Sequence, residues 1–160
     1  MDKQYKGFNQ SPIGLIEVIG TADAITSVNF NENRAEEESC PLITDCINQL
    51  DEYFKGVRKT FDLSILASGT EFQKKVWLSL KTIPFGQTLT YQEIATFIMQ
   101  DKAVRAVGNA NKKNPLYIII PCHRVIGKNG NLTGYGGGLW RKAWLIKHEA
   151  AFSGSQSDQR

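Results

Sequence analysis

Residues 117–127, with the sequence YIIIPCHRVIG, place a cysteine, a histidine and an arginine directly after a β-branched apolar run. An apolar run of this length, bounded by proline and glycine, predicts a buried strand. Such a strand would carry the three polar side chains into or beside the core, where they are costly unless they are paired or used. Cys122 is therefore a candidate nucleophile, and the fold has to bring a buried segment to a reactive site.

The composition fits one domain or two small ones. The chain has 160 residues, of which 41% are hydrophobic and 22% are charged, and this is enough to bury a core. No apolar stretch approaches the ~20 residues that span a bilayer, and the first residues show no apolar leader. We therefore expect a cytoplasmic protein, associated with the nucleoid if the source is bacterial, with no membrane partner. Three cysteines are an odd number, so no disulfide framework is expected.

Charge is distributed unevenly along the chain. Residues 1–70 carry 6 Lys and Arg against 11 Asp and Glu, whereas residues 71–160 carry 13 against 5. A basic half next to an acidic half indicates that a polyanion meets only the C-terminal part. Charge scattered over the surface for solubility explains the same pattern equally well when the pattern is taken alone.

The first half of the chain predicts a small α/β domain over residues 1–68. Its candidate strands alternate with turn residues, which is typical of an antiparallel meander, and cover 5–8, 14–19 and 24–30. Apolar residues at helical spacing predict a helix over 41–57, which places Cys46 on the buried face. A further short strand is predicted over 61–66.

The second half predicts a mostly helical domain over residues 69–150. Two capping boxes, TEFQ at 70–73 and TYQE at 90–93, each open a helix, and Asp101 is placed to cap a third one. The outer face of this third helix carries a mostly basic stripe: Lys102, Arg105, Asn109 and Lys112. Two short helices joined by a tight turn, the second with a basic outer face, are typical of a helix-turn-helix. A solvated pair of helices gives the same pattern more often.

A glycine-rich loop and a last helix follow the thiol. The loop covers residues 132–138 and surrounds Tyr135. The last helix is predicted over 139–150, and its expected buried residues are Leu139, Ala143 and Ile146. Residues 151–160 are polar and are expected to form a disordered tail.

The chemistry expected at Cys122 depends on its deprotonation. A thiol is a good nucleophile only as the thiolate, which a neighbouring base or cation promotes, and His123 and Arg124 supply one group of each kind. Adjacent side chains on an extended strand point to opposite sides, so His123 is expected to reach the sulfur through a water or a local kink. A carboxylate is needed to hold the imidazole, and Glu149 on the last helix is the natural candidate.

Three other interpretations of this cysteine remain beside the nucleophile. A zinc site needs three or four ligands at short spacings, which two His and three Cys scattered between positions 40 and 148 do not provide. A thiol protease or amidase usually has its Cys and His far apart in sequence. A buried, inert cysteine is the usual explanation of a lone one, and the polar cluster beside a glycine-rich loop speaks against it here.

The segment IPCHRV at 120–125 resembles the signature of the O6-alkylguanine-DNA alkyltransferases, also called methylated-DNA–protein-cysteine methyltransferases. The similarity covers about half of the chain, in order and at family-like spacing. Its motifs are GTEF at 69–72, IPFG at 83–86, TY at 90–91, RAVG at 105–108, NP at 114–115, Tyr135, GGL at 137–139 and Glu149.

The resemblance implies both a fold and a reaction. The fold is α+β, with a ribonuclease-H-like α/β domain followed by a mostly helical, winged helix-turn-helix-like catalytic domain. The reaction is direct-reversal DNA repair, in which Cys122 takes an alkyl group from O6-alkylguanine, or from O4-alkylthymine, irreversibly and once per molecule. The implied partner is double-stranded DNA with alkylated guanine, bound in the minor groove by a monomer that flips the base out. No cofactor and no metal are implied.

The resemblance also implies the roles of single residues. His123 takes the thiol proton through a water, Glu149 orients His123, and Tyr91 supplies a proton to the leaving guanine. Arg124 is implied to be structural. The groups implied to contact or brace the substrate are Tyr135, the Gly136 amide, the carbonyls of Cys122 and Val125, and Asn114.

The helix that carries RAVG is implied to lie in the minor groove. Arg105 fills the gap that the flipped base leaves, and the small side chain of Ala106 lets the helix approach closely. The further DNA contacts implied are Lys102, Asn109 and Lys112.

Two positions differ from the family pattern, and two rival functions remain. The turn at 99–101 lacks the Gly and Pro usual there, and Gly136 replaces a hydroxyl residue of some relatives, which predicts a roomier pocket wall. One rival is a non-catalytic binder of alkylated DNA, but such proteins usually carry tryptophan at the position of Cys122. The other is a helix-turn-helix regulator, for which the chain shows a single such motif and no ligand domain.

Overall fold

The N-terminal half folds as a three-stranded antiparallel sheet with one helix packed on it. The computed structural model describes residues 2–157 and divides into two compact units after Ser68. In the first unit, β1 (Tyr5–Ser11), β2 (Gly14–Gly20) and β3 (Ile25–Phe30) pair in chain order. The predicted antiparallel meander is confirmed.

Helix α1 (Pro41–Phe54) packs on this sheet through its apolar face. Cys46 and Leu50 are completely buried there, so this cysteine is a core residue, as its spacing predicts. The helix approaches the sheet closely because Gly7 has no side chain, and a β-carbon at that position would lie 2.6 Å from Ile47 Cδ1. A glycine in the first strand therefore sets how near the helix can lie.

The short strand predicted over residues 61–66 is wrong. Only Ile65 forms a bridge, to Ile25. The Gln49 side chain binds both backbone groups of Asp62: the Asp62 N–H donates to Gln49 Oε1 at 2.9 Å, and Gln49 Nε2 donates to the Asp62 carbonyl at 3.0 Å. A side chain thus satisfies the backbone groups that a neighbouring strand would otherwise have paired.

The second unit is mostly helical. Helix α2 (Glu71–Leu80) begins at Thr70 and helix α3 (Tyr91–Phe97) at Thr90, and both predicted capping boxes are confirmed. The remaining elements are β4 (Leu89–Thr90), α4 (Val104–Lys112), β5 (Val125–Ile126), which pairs in parallel with β4, and α5 (Leu139–Ser157). Among residues 2–157, no helix is long and apolar enough to cross a bilayer.

Helix α4 begins later than the sequence predicts. Its N-cap is Ala103, which makes no side-chain capping bond, so the prediction that Asp101 caps the helix is wrong. The residues before it are used in a turn, in which the Ala103 N–H donates to the Gln100 carbonyl at 2.9 Å. Lys102 therefore lies exposed in this turn and not on the helix. The predicted DNA-contact residues that do lie exposed on α4 are Arg105, Ala106, Asn109 and Lys112.

The buried strand predicted to end at the thiol is also wrong. Tyr117 and Ile120 form a single bridge, and between them Ile118 has a φ of +74°. The Ile119 N–H donates back to the Tyr117 carbonyl at 2.8 Å. The apolar run is buried, but it folds as a tight turn that leads into a 3₁₀ turn over Cys122–Arg124.

Asn114 supplies the hydrogen bonds that a strand neighbour would have provided. Its Oδ1 accepts from the Leu116 N–H at 2.9 Å, and its Nδ2 donates to the Ile120 carbonyl at 2.8 Å. One buried amide thus holds both sides of the turn before the thiol. The bracing role implied for Asn114 fits this geometry.

Helix α5 buries a different face from the one predicted. Leu139 is 49% exposed and Ala143 is exposed, so the expected apolar face is wrong. The residues that α5 buries are Lys142, Leu145, His148 and Glu149. Polar side chains lie on the buried face because they belong to the site described below.

Helix α5 also extends further than predicted. It continues to Ser157, so the prediction of a disordered tail is wrong for residues 151–157, while residues 158–160 lie outside the described part of the chain. The Phe152 ring packs on His148 with a centroid distance of 4.9 Å. Phe152 thus packs back on the preceding turn of the same helix.

Met99 is strained, and its replacement tests the turn before α4. Its φ is +63° and it is 88% exposed, so its side chain has little packing to lose. A non-glycine residue in this region is strained by about 1–2 kcal/mol. We expect Met99→Gly to raise the free energy of unfolding by about 0.5–1 kcal/mol, allowing for the flexibility of glycine in the unfolded chain. Urea unfolding followed by circular dichroism measures this. Gln100→Gly, at a neighbour without positive φ, is the control, and equal stabilisation by both would contradict the strain.

Candidate active site

His123 and Arg124, which directly follow Cys122 in the chain, form a buried polar cluster with Glu149 of helix α5. His123 Nε2 lies 2.6 Å from Glu149 Oε2, and Arg124 binds the same carboxylate through Nε at 2.8 Å and Nη2 at 3.1 Å. Arg124 Nη1 also donates to the Ile83 carbonyl at 2.6 Å. The 3₁₀ turn and helix α5 are therefore joined through one carboxylate.

The protonation of this cluster follows from its charges. Burial acts to raise the pKa of the Glu149 carboxyl, but the charges and hydrogen bonds of His123 and Arg124 outweigh it and hold this pKa well below its ordinary value. Burial lowers the pKa of His123, and Glu149 offsets this only in part. Arg124 is always charged, so the carboxylate stays ionised while the imidazole is neutral at pH 7.

The tautomer of His123 follows in turn. An ionised carboxylate only accepts hydrogen bonds, so Nε2 carries the proton and donates it to Glu149. The other ring nitrogen, Nδ1, is then an acceptor, and it is buried with no partner among the described residues. The imidazole therefore offers one uncommitted basic nitrogen.

Cys122 is fully buried, and burial raises the pKa of its thiol to about 11. Hydrogen bonding from Asn114 and the charge of Lys142 act in the opposite direction without cancelling this effect. The resting site therefore holds a neutral thiol, which needs a base to become a nucleophile. The guanidinium of Arg124 is committed to Glu149 and to the Ile83 carbonyl, which fits the structural role implied for it.

Tyr91 and Lys142 both contact the glycine-rich loop at Thr133. The Tyr91 hydroxyl donates to the Thr133 carbonyl at 2.9 Å, and Lys142 Nζ donates to the same carbonyl at 2.7 Å and to Tyr91 Oη at 3.3 Å. Burial lowers the pKa of Lys142 to about 8, although the Cys122 sulfur acts against it. Burial also raises the pKa of Tyr91, so the phenol is neutral at pH 7. A neutral phenol next to an ammonium group is a suitable proton donor.

An open cavity of about 500 Å³ joins Tyr91 to the outer face of α4. Its other lining residues include Arg105, Gly108, Asn109, Lys112, Thr133 and Gly134. Gly108 has no side chain to project from α4 into this opening. A β-carbon at that position would lie 4.0 Å from the Tyr91 ring. Lys102 is not part of this opening and lines a separate cavity at the turn before the helix. The structure therefore brings the predicted basic residues, except Lys102, to the same opening as Tyr91.

The other predicted substrate contacts come from the loop and from β5. Tyr135 is 6% exposed, and its buried hydroxyl has no partner among the described residues. Gly136 follows it in the loop. Val125 lies in β5 opposite Leu89, and this pairing ties the 3₁₀ turn of Cys122–Arg124 to the start of α3.

Two residues of the site escaped the sequence analysis. Asn111 is completely buried, and its Nδ2 donates to the Cys122 carbonyl at 3.2 Å, so α4 is bonded to the backbone of the nucleophile. Lys142 is also completely buried. A signal was present for Asn111, which helical spacing places four residues after the buried Val107. Lys142 lies off the apolar face predicted for the last helix, so spacing gave no signal for it. A polar residue on a buried helical face is a candidate site residue.

Comparison with known proteins shows to which family the chain belongs. Residues 71–151 match the family model described as 6-O-methylguanine DNA methyltransferase, DNA binding domain, and residues 4–67 match the one described as 6-O-methylguanine DNA methyltransferase, ribonuclease-like domain. The chain belongs to the methylated-DNA–protein-cysteine methyltransferase family. A Methanosarcina mazei protein of that name is 59% identical over 147 residues, which cover 88% of this chain and 93% of the relative.

Solved structures of the family share the fold. The crystal structure of Mycobacterium tuberculosis O6-methylguanine methyltransferase superposes with a TM-score of 0.85 at 40% identity, over 93% of this chain and 94% of that one. A Mycobacterium tuberculosis structure in complex with DNA gives 0.84 at 41% identity, over 91% and 92%. The resemblance and the fold class predicted from the sequence are confirmed.

Replacement of Glu149 tests how much its carboxylate contributes to the stability of this methyltransferase family member. We expect Glu149→Gln to lower the free energy of unfolding at pH 7 by about 3–5 kcal/mol, because Arg124 is left buried without its counter-ion. Urea unfolding gives the difference. The control is Glu71→Gln, whose side chain is 97% exposed, and its expected change is less than about 0.5 kcal/mol. Equal changes in both variants would contradict the role of the cluster.

The same cluster makes the protein sensitive to acid. The folded-state pKa of Glu149 lies below its ordinary value of 4.5, so its contribution is full above that pH and is lost as the pH falls further. The pKa of His123 lies below 6.5 in the folded state, so the unfolded chain takes up this proton first as the pH falls. This also lowers the free energy of unfolding toward acid pH. We expect the free energy of unfolding to fall from pH 7 toward acid pH, with a shallower fall in Glu149→Gln below about pH 5. Identical pH profiles of the two proteins would refute this.

Proposed function

We propose that this protein repairs DNA by direct reversal, with Cys122 taking the alkyl group of O6-alkylguanine, or of O4-alkylthymine, and keeping it as a thioether. The observation that carries the proposal is a fully buried thiol followed at once in the chain by an imidazole whose Nε2 is held by Glu149 and whose Nδ1 has no partner among the described residues. Such a thiol is inert until a proton is removed, and His123 is the base next to it. The family to which the chain belongs is named for this reaction.

The proposed step is an in-line displacement. His123 Nδ1 takes the thiol proton through one water, and the thiolate attacks the alkyl carbon. The S–C bond forms as the C–O6 bond breaks, and the electron pair of that bond goes to the guanine. Tyr91 donates the proton that the departing guanine takes up, and Lys142, at 3.3 Å, stabilises the resulting phenolate. No step returns the thiol, so each molecule acts once, and the scheme uses no cofactor and no metal.

We infer that DNA lies against the outer face of α4. Arg105, Asn109 and Lys112 are exposed and line the same cavity as Tyr91. The narrow minor groove suits a helix whose surface is low at Ala106 and Gly108. A damaged base turned out of the duplex would enter this cavity, and Arg105 would fill the space it leaves. The binding of the intact duplex by a single molecule is part of this proposal, and the cytoplasmic location stays a prediction.

The two rival functions have no observation of their own in the structure. A non-catalytic binder of alkylated DNA has no use for a base held beside a buried thiol. A helix-turn-helix regulator has no use for a cavity that is lined both by α4 and by a phenol. We therefore retain the transferase as the one candidate.

Alkylation of one specific sulfur is the first test. Incubation with a duplex that contains O6-methylguanine should add one methylene to the intact mass, located on Cys122 by peptide mapping. Cys122→Ala should gain nothing. Cys46→Ala is the matched control, because burial raises the pKa of Cys46 to about 12 and leaves it unreactive, so this variant should react like the wild type. Tight binding of the lesion with no gain in mass would favour the non-catalytic binder.

Arg105 should matter only when the base has to leave a duplex. We expect Arg105→Ala to slow transfer from duplex DNA by at least about tenfold and transfer from free O6-methylguanine by less than about twofold. Lys74→Ala, on helix α2, is the charge-matched control and should leave both rates unchanged. The logarithm of the affinity for duplex DNA should fall linearly with that of the salt concentration. Equal slowing on both substrates would refute the placement of Arg105.

A further inference from the structure

The segment with the sequence IPFG, residues 83–86, contacts two members of the buried cluster. The Ile83 carbonyl accepts from Arg124 Nη1 at 2.6 Å. The Gly86 N–H donates to Glu149 Oε1 at 3.1 Å. The IPFG segment thus holds the cluster from a third place in the chain, in addition to the 3₁₀ turn and helix α5.

The two oxygens of the Glu149 carboxylate have different donors. Oε2 lies 2.6 Å from His123 Nε2 and accepts from Arg124 Nη2 at 3.1 Å. Oε1 accepts from Arg124 Nε at 2.8 Å and from the Gly86 amide. A carboxylate offers about four acceptor directions, two on each oxygen. Because the Gly86 amide occupies one direction of Oε1, a rotation of the carboxylate away from His123 would break this buried hydrogen bond as well.

The contact with Glu149 requires a glycine at position 86. The φ of Gly86 is +84°, and the Gln87 N–H donates to the Pro84 carbonyl at 3.1 Å, so Gly86 is the third residue of a tight turn. A β-carbon here would lie 2.5 Å from Ser153 Cβ and 3.4 Å from the Glu149 carbonyl. The turn therefore packs on helix α5 at Glu149 and again one helical turn later at Ser153.

We propose that Gly86 is a positioning residue for the alkyl transfer. Its amide holds the Glu149 carboxylate in the orientation in which Oε2 keeps the His123 proton on Nε2, so that Nδ1 is left as the base. This inference rests on the proposed function. Gly86 acts through Glu149 and need not touch the substrate, because a base that is held by hydrogen bonds works only in the right orientation. Ser153 contributes by seating the turn.

Gly86→Ala tests the proposal, and Gly130→Ala is its matched control. Both glycines have a positive φ, +84° and +81°, but a β-carbon at Gly130 meets nothing within 4 Å. With protein in excess over a duplex that contains O6-methylguanine, Gly86→Ala should transfer methyl at least about tenfold more slowly, while its Kd for the duplex changes by less than about twofold. Gly130→Ala should keep both values within about twofold. Equal losses in the two variants would assign the effect to backbone strain and overturn the proposal.

The acid side of the pH–rate profile separates positioning from a general structural defect. The charges of Glu149, Arg124 and Lys142 act on His123. Loss of the Gly86 donor leaves the carboxylate more basic, which raises the pKa of His123. We expect the pH of half-maximal rate on the acid side to rise by at least about 0.5 in Gly86→Ala and to stay unchanged in the control. A slower Gly86→Ala with an unshifted profile would assign Gly86 a structural role only.

Ser153→Gly supplies the rescue. It removes Cβ and Oγ, the two atoms nearest to a β-carbon at position 86. The double variant with Gly86→Ala should therefore react at least about threefold faster than Gly86→Ala alone, although the strain at positive φ remains. Melting temperatures of the variants identify any loss of folding. A double variant that is no faster would refute the seating of the turn on Ser153.

Hydrogen exchange tests the contact in the wild type without any transfer. The amide of Gly86 donates to a buried carboxylate, so it should exchange with solvent at least about 100-fold more slowly than an unprotected amide. Rapid exchange at Gly86 would refute the hydrogen bond on which the proposal depends. A wild type that protects this amide but transfers no methyl group would instead refute the proposed function.

Discussion

The carboxylate of Glu149 is the interaction on which the site depends. It joins helix α5 to both His123 and Arg124, and it binds Arg124 twice and His123 once. A complete buried ion pair adds little net stability, whereas a broken one is costly, so its main effect is on geometry. Because Arg124 keeps the carboxylate ionised, the proton of His123 has to be on Nε2. The basic nitrogen near the nucleophile is thus fixed by two residues that need not touch the sulfur.

A neutral resting thiol suits a protein that acts once. Cys122 is fully buried and its pKa is raised to about 11, so very little thiolate exists at pH 7. The thiolate is the form that is oxidised and alkylated without a specific substrate. A site that lowered this pKa permanently would lose molecules to such side reactions, and no step of the proposed scheme recovers them. Deprotonation by His123 only when a substrate is in place avoids this loss.

Helix α4 connects the surface proposed for DNA with the backbone of the nucleophile. Arg105 is exposed at one end of the helix, while Asn111 near the other end is buried and donates to the Cys122 carbonyl at 3.2 Å. Trp77 Nε1 donates to the Ala110 carbonyl at 2.8 Å and anchors the same end to α2. The distance between the face proposed for DNA and the backbone of Cys122 is therefore set by one helix, as the positioning of a base at the sulfur would require under this proposal.

Secondary structure was predictable from the sequence where it depends on neighbouring residues. The predictions failed where the side chain of a residue outside the segment makes the backbone hydrogen bonds. The capping boxes at Thr70 and Thr90 and the antiparallel meander depend on neighbouring residues, and their predictions hold. The strands predicted over 61–66 and before the thiol fail for one shared reason. In each case a buried amide, Gln49 or Asn114, pairs with the backbone groups that make a strand recognisable. The partnership of His123 with Glu149 was predictable because acidic residues are scarce near the C-terminus, whereas Lys142 was missed because apolar periodicity cannot register a buried face that carries charge.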